Sequence, residues 1–150
     1  MRIGLISDTH GLLRPQALDA LAGVDRIIHA GDIGSAAVLD ALAAIAPVDA
    51  VRGNNDTSPW ASAIPQSQTL DYGCVRIHLL HDIKELKGTI PPVQVVIAGH
   101  SHMPQVLEQD GVLCVNPGSA GPRRFTLPVT VGLLEIAEGK VTATIRELAV

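Results

Sequence analysis

Short apolar runs alternate with polar turns along the first half of the chain, and each run has the length of one buried strand. Residues 3–6, 24–30 and 48–51 are the first three of these runs. Residues 15–22 and 35–44 lie between them and predict two short helices. The order strand, helix, strand, helix, strand is typical of parallel strands that are joined by helical crossovers.

The pattern changes in the second half, where alternating apolar and polar positions predict hairpins. Residues 93–98 are rich in β-branched side chains and predict one more buried strand, and residues 82–92 before it form a connector with room for about two helical turns. The two halves together predict an α/β fold of two stacked, mixed β-sheets flanked by helices, an αββα sandwich, in a single domain over residues 1–150. The predicted hairpin strands are residues 68–72 with 75–80, 105–109 with 112–115, and 129–136 with 141–146.

Composition limits the classes of function that the chain can have. Of its 150 residues 47% are apolar but only 2% are aromatic, and 11 Lys and Arg stand against 15 Asp and Glu. The net charge of −4, without a basic run or an aromatic platform, argues against specific nucleic-acid binding. No apolar run reaches the roughly 20 residues that span a bilayer, and no signal-peptide pattern opens the chain. We therefore expect a cytoplasmic protein that does not associate with membranes.

The two cysteines, Cys74 and Cys114, lie in apolar, strand-like runs and do not have the spacing of metal ligands. We expect both to be reduced core residues. A small domain with an apolar, strand-rich surface also predicts a homodimer or a homotetramer.

Imidazole and carboxylate groups follow the predicted buried strands at their C-terminal ends, where open α/β sheets place their ligands. Asp8 and His10 follow the first strand, Asp32 follows the second, and His100 and His102 follow the later buried strand. Two histidines spaced i, i+2 point to one face, with backbones about 6–7 Å apart. Such a pair can bind one metal ion, or two ions about 3.5–4 Å apart. The sequence therefore predicts a two-metal centre.

Each of these motifs also has a purely structural interpretation. Asp8 or Asp32 could cap the helix that follows it, and residues 53–56 have the composition of a simple turn. In a metal site, Asn54 would instead offer a neutral oxygen ligand, and Asp56 would orient a neighbouring histidine.

Other polar residues carry weaker predictions. His81 ends a predicted strand at the right terminus to join the centre, whereas we expect His29 and His78 to be packed or structural. Arg123 and Arg124 would either bind a phosphate or remain solvated charges.

The groups at the strand ends occur in one order, which resembles the calcineurin-like metallophosphoesterase superfamily. The length, the sequence N-P-G-S at 116–119 and the final hairpin resemble the small bacterial and archaeal phosphodiesterases of that superfamily. The resemblance covers essentially the whole chain and implies the metallophosphoesterase fold. The motifs are D-x-H at 8–10, G-D at 31–32, G-N-x-D at 53–56, H at 81 and G-H-x-H at 99–102.

The resemblance also implies which residues hold metal. Asp32 would bridge two ions, and Asp32, Asn54 and His81 would act as catalytic residues together with their neighbours Asn55 and Asp56. The ligands would be Asp8, His10, Asp32 and His102 for one ion, and Asp32, Asn54, His81 and His100 for the other.

The implied activity is that of a phosphoric ester hydrolase, a metal-dependent phosphodiesterase in which a hydroxide that bridges two ions attacks a small phosphodiester. Two divalent cations, two carboxylates and a hydroxide sum to about +1, which attracts phosphate. Nitrogen and oxygen ligands without thiolate suit manganese first, with iron, nickel, cobalt or zinc as alternatives. A phosphomonoesterase or nucleotide pyrophosphohydrolase with the same centre is the enzymatic alternative, and a non-catalytic binding scaffold is the other.

Two residues depart from the family pattern. Asn55 stands where many members have a histidine that is proposed to protonate the leaving group, so we expect a preference for substrates with good leaving groups. Asp82 stands where relatives usually have a glycine after the ligand histidine, and this difference bears on the geometry of His81.

Overall fold

The structure, a computed structural model, describes residues 1–86 and 92–150. The predicted strands and helices are present, most with bounds that differ by one or two residues from the prediction. Of the predicted connector, Ile83–Glu85 form a 3-10 turn, and residues 87–91 lie outside the described residues. The elements are β1 (Arg2–Ile6), α1 (Pro15–Ala20), β2 (Arg26–His29), α2 (Ala36–Ala43), β3 (Val48–Ala50), β4 (Ser67–Tyr72), β5 (Val75–Leu80), β6 (Val95–Ile97), β7 (Gln105–Gln109), β8 (Val112–Asn116), β9 (Thr130–Ala137) and β10 (Lys140–Glu147).

The strands form two mixed sheets of five strands each. The first sheet has the order β10-β9-β1-β2-β3, in which β1, β2 and β3 are parallel and the hairpin of β9 and β10 is added antiparallel. The second sheet has the order β4-β5-β6-β8-β7, in which β5, β6 and β8 are parallel. Each sheet thus combines three parallel strands with antiparallel ones, and the predicted stack of mixed sheets is confirmed.

The main core lies between the two sheets, and a second core lies under the helices. Leu5 and Ile28 from the first sheet pack with Ile77 and Ile97 from the second, and all four are fully buried. The neighbouring strand positions point the other way, because side chains alternate along a strand. Ile27 accordingly packs with apolar residues of α1 and α2 on the outer face of the first sheet.

The loops that follow the parallel strands are bonded to one another at one end of the sandwich. The backbone N–H of Asp8, after β1, donates to the carbonyl of Gly31, after β2, at 3.0 Å. In the second sheet, the N–H of Gly99, after β6, donates to the carbonyl of His81, after β5, at 2.8 Å. This end, where the parallel strands have their C-termini, carries the predicted site.

The cysteines differ from the prediction in one respect. Both are free thiols, but Cys74 is exposed in the turn between β4 and β5, so its assignment to the core is wrong. Its apolar neighbours reflect the strands on either side, and the side chain itself falls in the turn. Within residues 1–86 and 92–150, no helix has the length and apolar character needed to cross a membrane.

Candidate metal centre

Six of the seven predicted metal ligands come together where the strands of both sheets end. They form two groups, and within each group the ligand atoms lie within 4.8 Å of one another. The groups follow the predicted division between two ions. They are Asp8, His10 and His102, and Asp32, His81 and His100.

One oxygen of Asp8 is held by the protein and the other faces imidazoles. The Ser7 hydroxyl donates to Oδ2 at 2.7 Å, and the His100 N–H donates to the same oxygen at 3.1 Å. Oδ1 is buried without a hydrogen bond, with the Nε2 atoms of His102, His81 and His10 at 3.4, 3.8 and 4.0 Å. Burial raises the pKa of Asp8, but His102, Ser7 and His81 together outweigh it and lower the pKa, so the carboxylate is charged.

Asp32 lies between the two groups. Its Oδ2 is 3.2 Å from Nε2 of His81 and 3.8 Å from Nε2 of His10. The backbone N–H of Asn55 donates to Oδ1 at 2.9 Å, and its side-chain amide donates to Oδ2 at 3.1 Å. Burial raises the pKa of Asp32, but the contacts with His81, Asn55 and His10 bring it down to about 2. A carboxylate that stays ionised between two imidazole groups is suited to sharing two cations.

The histidines are aimed by different partners. Nδ1 of His81 is 2.7 Å from the Ala30 carbonyl, which can only accept, so Nδ1 carries a proton and Nε2 is the atom left to bind a metal ion. Burial lowers the pKa of His81, but Asp32, the Ala30 carbonyl and Asp8 outweigh it and raise the pKa. Nδ1 of His100 lies 3.3 Å from Nε2 of His81, and its Nε2 lies 3.7 Å from Oδ2 of Asp82. The other oxygen of Asp82 accepts the N–H of Lys84 at 3.0 Å. Asp82, the residue that departs from the family pattern, therefore contacts His100.

The backbone at these residues is unusual. Among the described residues, eight other than glycine have positive φ, and five of these are predicted ligands. A left-handed conformation costs a residue with a Cβ about 1 kcal/mol or more, and it persists where the surrounding structure enforces it. Positive φ is thus concentrated at the candidate ligands. The five are Asp8, His10, Asp32, His100 and His102, with φ of 55°, 46°, 54°, 73° and 63°.

Two glycines allow the loops to approach the carboxylates closely. A Cβ at Gly53 would lie 2.1 Å from Oδ1 of Asp32. A Cβ at Gly99 would lie 2.0 Å from Oγ of Ser7 and 2.8 Å from Oδ2 of Asp8. Any side chain at either position would displace a carboxylate, which explains the glycine in both motifs.

The three polar residues after β3, Asn54, Asn55 and Asp56, differ in their contacts. Asn54 is exposed between Gly53 and Asn55, and among the described residues its side chain makes no hydrogen bond. Asn55 holds Asp32, as described above. The Asp56 carboxylate contacts no histidine within the described part of the chain. It accepts instead the N–H groups of Ile33, Gly34 and Gly53 at 3.0, 3.1 and 2.9 Å.

The predicted orienting role of Asp56 is therefore replaced by a different one: it joins the loops that follow β2 and β3. The partners of Asp56 explain the change. Two of them lie more than twenty residues earlier in the chain, and only the pairing of β2 with β3 brings them near.

His29 has the packed position that we expected. The Gly31 N–H donates to Nδ1 at 3.1 Å, so the proton is on Nε2, which lies 3.0 Å from the Thr9 hydroxyl. Thr9 in turn donates to the Ile33 carbonyl at 2.7 Å. Burial lowers the pKa of His29 to about 4, so a neutral imidazole supports the turn between Asp8 and His10. His78 is buried too, 3.0 Å from Thr69 Oγ1, and burial lowers its pKa.

Sequence reasoning missed two supporting residues. Ser7 binds the carboxylate of Asp8, and the Asn116 amide donates to the Gly99 carbonyl and to Ser101 Oγ, both at 3.0 Å. Both residues stand beside motifs that were identified, but the atoms that they contact are visible only in three dimensions.

The donor set fits divalent metal ions. Besides Oδ1 of Asp8, the atoms Nε2 of His10 and Nδ1 of His102 are buried and have no hydrogen-bond partner in the described structure. Unpaired buried polar atoms are destabilising unless a further group satisfies them. Two carboxylates and four imidazoles without a thiolate suit transition metals rather than calcium.

Comparisons with known proteins place this site in a family. The family model of the calcineurin-like phosphoesterase superfamily domain matches residues 1–139. A probable metallophosphoesterase of Methanothermobacter thermautotrophicus is 36% identical over 159 residues, which cover 97% of this chain and 91% of the relative.

Solved structures agree on the fold. The crystal structure of an archaeal phosphodiesterase is 25% identical, covers 97% of this chain and 100% of its own, and has a TM-score of 0.77. Vps29 of Chaetomium thermophilum has the same TM-score at 21% identity, over 99% of this chain and 97% of its own, and is similar in fold. Because the family model and a relative at 36% identity both cover most of its length, the chain belongs to the calcineurin-like phosphoesterase superfamily and to the phosphoric ester hydrolases in it.

Proposed function

We propose that this protein is a metal-dependent phosphodiesterase that hydrolyses a small phosphodiester at a centre of two divalent ions. The observation that carries the proposal is the pair of ligand groups at one end of the sandwich. In the group of Asp8, His10 and His102, each residue has a buried atom without a hydrogen-bond partner in the described structure. The structural relative that is named an archaeal phosphodiesterase supports a diester as the substrate.

In this proposal the two ions share Asp32, whose Oδ2 is close to an imidazole of each group. Two divalent ions bound there supply an activated water and the positive charge that stabilises the phosphoryl oxygens. The neutral oxygen of Asn54 adds a ligand without adding negative charge. The ligands are Asp8, His10, Asp32 and His102 for one ion, and Asp32, Asn54, His81 and His100 for the other.

The chain's own contribution is to hold these groups in place before substrate binds. Asn55 fixes both oxygens of Asp32, and the Ala30 carbonyl fixes the tautomer of His81. Ser7 holds one oxygen of Asp8 and leaves the other facing the histidines. Groups that are already oriented need little reorganisation when charge develops on the phosphate.

The hydrogen bonds of two polar side chains support a diester over a monoester as the substrate. A monoester has one more non-bridging oxygen, which needs a partner of its own. The Arg123 guanidinium instead donates to the carbonyls of Leu127 and Val150 at 3.2 and 3.4 Å. The Asn55 amide is bound to Asp32. Of Asn55, Arg123 and Arg124, the three side chains that could meet that oxygen, the first two therefore have other partners.

The proposal is tested by hydrolysis of a bis-aryl phosphate beside the mono-aryl phosphate. The protein is chelated and then supplied with Mn²⁺, Ni²⁺, Co²⁺ or Zn²⁺ in turn, and Asp32→Asn serves as the control. We expect diester cleavage that needs metal, is fastest with Mn²⁺ and is lost in the variant. A faster monoester reaction would favour the phosphomonoesterase, and no turnover with any metal would favour the binding scaffold.

Two further expectations remain predictions. A homodimer or homotetramer is supported by Val106 and Leu107, which are exposed apolar residues on the edge strand β7. Sedimentation at micromolar concentration tests it, and a monomer there would contradict it. The cytoplasmic location is tested by fractionation of the cells that produce the protein.

A further inference from the structure

A cavity of about 170 Å³ lies beside the candidate metal centre, on the outer face of the second sheet. Val96 and Cys114, which are neighbours in the pairing of β6 with β8, both line it. Val95 and Ile97 belong to the core between the sheets, so Val96 points to the opposite face. The cavity therefore lies on the face of the second sheet that is turned away from the main core.

The cavity adjoins the ligands through His100. Gly99, His100 and Ser101 line it on the side of the metal centre, and the turn that begins at Asp82 lines it as well. Nδ1 of His100 faces His81, whereas its Nε2 faces Asp82, so the ring separates the ligand groups from the cavity. A group attached to a phosphate at the metal centre would have to pass only this ring to enter the cavity.

The lining of the cavity is apolar along the strands. Val96 and Ala98 are 4% and 6% exposed and pack in one cluster with Cys114. Burial raises the pKa of the Cys114 thiol, so the thiol is protonated and behaves as a small apolar group. An apolar lining of this kind cannot solvate a charged group.

Polar groups lie in the loops around the cavity, and some of them are hydrogen-bonded to other residues of the protein. The Asn116 amide is bound to the Gly99 carbonyl and to Ser101, so it shapes the loop before His100. The side chains of Gln105 and Lys84 add an amide and an ammonium group to the lining. Polar contacts are thus concentrated at the loops, and apolar contacts along the strands.

We propose that this cavity binds one organic ester group of the substrate, an uncharged group of about the size of one ring, while the phosphate lies at the metal centre. The inference rests on the proposed phosphodiesterase function and names the class of diester. A cavity of about 150 Å³ with an apolar lining can hold benzene, so about 170 Å³ accepts one ring. A nucleotide chain, or a sugar with a second phosphate, is larger than this volume.

The first test measures binding rather than turnover, with two phosphonates of equal charge that differ by a ring. Phenylphosphonate and methylphosphonate are titrated calorimetrically into the Mn²⁺-loaded protein. We expect phenylphosphonate to bind about tenfold more tightly, because the cavity removes the ring from water. In a Cys74→Ala background, phenylphosphonate should also slow the labelling of Cys114 by a maleimide, and methylphosphonate at equal saturation should not.

Substitution of the two cysteines gives a matched pair of variants. Cys114→Phe fills the cavity, and Cys74→Phe places the same side chain in an exposed turn far from it. We expect Cys114→Phe to reduce the preference for phenylphosphonate to about unity, since the cavity no longer accepts the ring. Cys74→Phe should keep the tenfold preference.

The outcomes separate this inference from the function on which it rests. If both phosphonates bind equally and Cys114 stays equally reactive with either, the cavity assignment is wrong and the phosphodiesterase proposal is unaffected. If neither phosphonate binds the metal-loaded protein, the cavity assignment fails, and hydrolysis of the bis-aryl phosphate alone decides the phosphodiesterase proposal. A ring preference that persists in Cys114→Phe would place the ring elsewhere and overturn the assignment.

Discussion

Both ends of the sandwich carry buried or half-buried carboxylates, but the hydrogen-bond partners of these carboxylates differ between the two ends. At the C-terminal end of the parallel strands, Asp8 and Asp32 face imidazoles, and Oδ1 of Asp8 has no hydrogen bond. At the other end, Asp49 of β3 accepts from the Arg26 guanidinium at 3.0 Å and from the Tyr72 hydroxyl. Arg26 also lies over the Tyr72 ring, 5.4 Å from its centroid.

The comparison shows how a carboxylate serves stability or function. Asp49 is matched by a cation and a hydroxyl from β2 and β4, so it ties the two sheets together. Asp8 and Asp32 both have positive φ, and each faces imidazoles of the two candidate ligand groups. Oδ1 of Asp8 has no hydrogen bond, whereas both oxygens of Asp32 are held by Asn55. Among the described residues, three of the four buried side-chain atoms without a hydrogen bond belong to candidate ligands, and the fourth is Nε of Arg26. Backbone strain and unpaired polar atoms are typical of functional sites.

The largest expected effect comes from exchanging one carboxylate at each end. In Asp32→Asn, metal-dependent diester hydrolysis should fall by at least about a hundredfold, because the shared ligand loses its charge. In Asp49→Asn, the free energy of unfolding should fall by about 1–3 kcal/mol, because a charged partner of Arg26 and Tyr72 is lost. Steady-state kinetics and urea unfolding of both variants measure the two effects.

The control is the cross-comparison of the same variants. Asp49→Asn should hydrolyse the diester within about twofold of the parent, since it changes no group at the metal centre. Equal loss of hydrolysis in both variants would show that the two ends are energetically coupled and that the comparison is mistaken.

The next effect concerns Asn55, which donates two hydrogen bonds to Asp32. Many family members have a histidine at this position. In Asn55→His, hydrolysis of an alkyl diester should rise by about a hundredfold relative to an aryl diester, because an imidazolium can protonate a poor leaving group. Rates for matched alkyl and aryl diesters in both proteins provide the measurement. If the parent already cleaves both esters at similar chemical-step rates, the expected preference for good leaving groups is wrong.

Acid should lower the free energy of unfolding, because His29, which supports the turn between Asp8 and His10, is buried in its neutral form. Its folded pKa of about 4 lies below its usual value of 6.5, so between these pH values the unfolded chain binds a proton that the folded chain does not. Stability therefore falls as pH drops from about 6.5 to 4, and at pH 5 the loss is about 2 kcal/mol. Urea unfolding of metal-free protein at pH 7 and pH 5 measures this loss.

The variant His29→Asn separates this effect from other titrating groups. Asparagine can still accept the Gly31 N–H but does not titrate, so the difference between pH 7 and pH 5 should shrink by most of that amount. An unchanged pH difference in the variant would assign the acid sensitivity to another group.

The grouping of the candidate ligands followed from the sequence, because most of them stand just after a predicted buried strand. Parallel strands bring their C-terminal ends to one edge, and residue type then favours metal binding. These two features were enough to predict the places of Asp8, Asp32 and His100. The contacts of Asp56 and Asp82 did not follow, because they depend on loop directions after the strand ends. Asp56 reaches the loop after β2, and Asp82 reaches His100, through strand pairings that local pattern does not encode.

The strand pattern predicted both sheets, but it gave no sign of the Arg26, Asp49 and Tyr72 cluster. Each of these residues occupies a strand position that is ordinary for its type, and their chain separations are 23 residues in both pairs with Asp49. The cluster arises only when β4 of the second sheet packs beside β2 and β3 of the first. Contacts between sheets are thus the part of the fold that hydrophobic periodicity leaves open.

The smallest expected effect comes from removing one oxygen atom from the cluster of Arg26, Asp49 and Tyr72. Tyr72→Phe removes the hydroxyl that donates to Asp49, and burial together with Asp49 raises the pKa of Tyr72, so that hydroxyl is protonated in the native state. We expect a loss of about 1–2 kcal/mol in the free energy of unfolding, with hydrolysis unchanged. Ser62→Ala is the matched control: it removes an exposed hydroxyl that donates to the Pro59 carbonyl, and should change stability by less than about 0.5 kcal/mol. Equal effects in the two variants would mean that the bond to Asp49 adds nothing beyond an ordinary surface contact, and that the sheets are held together at this end by packing alone.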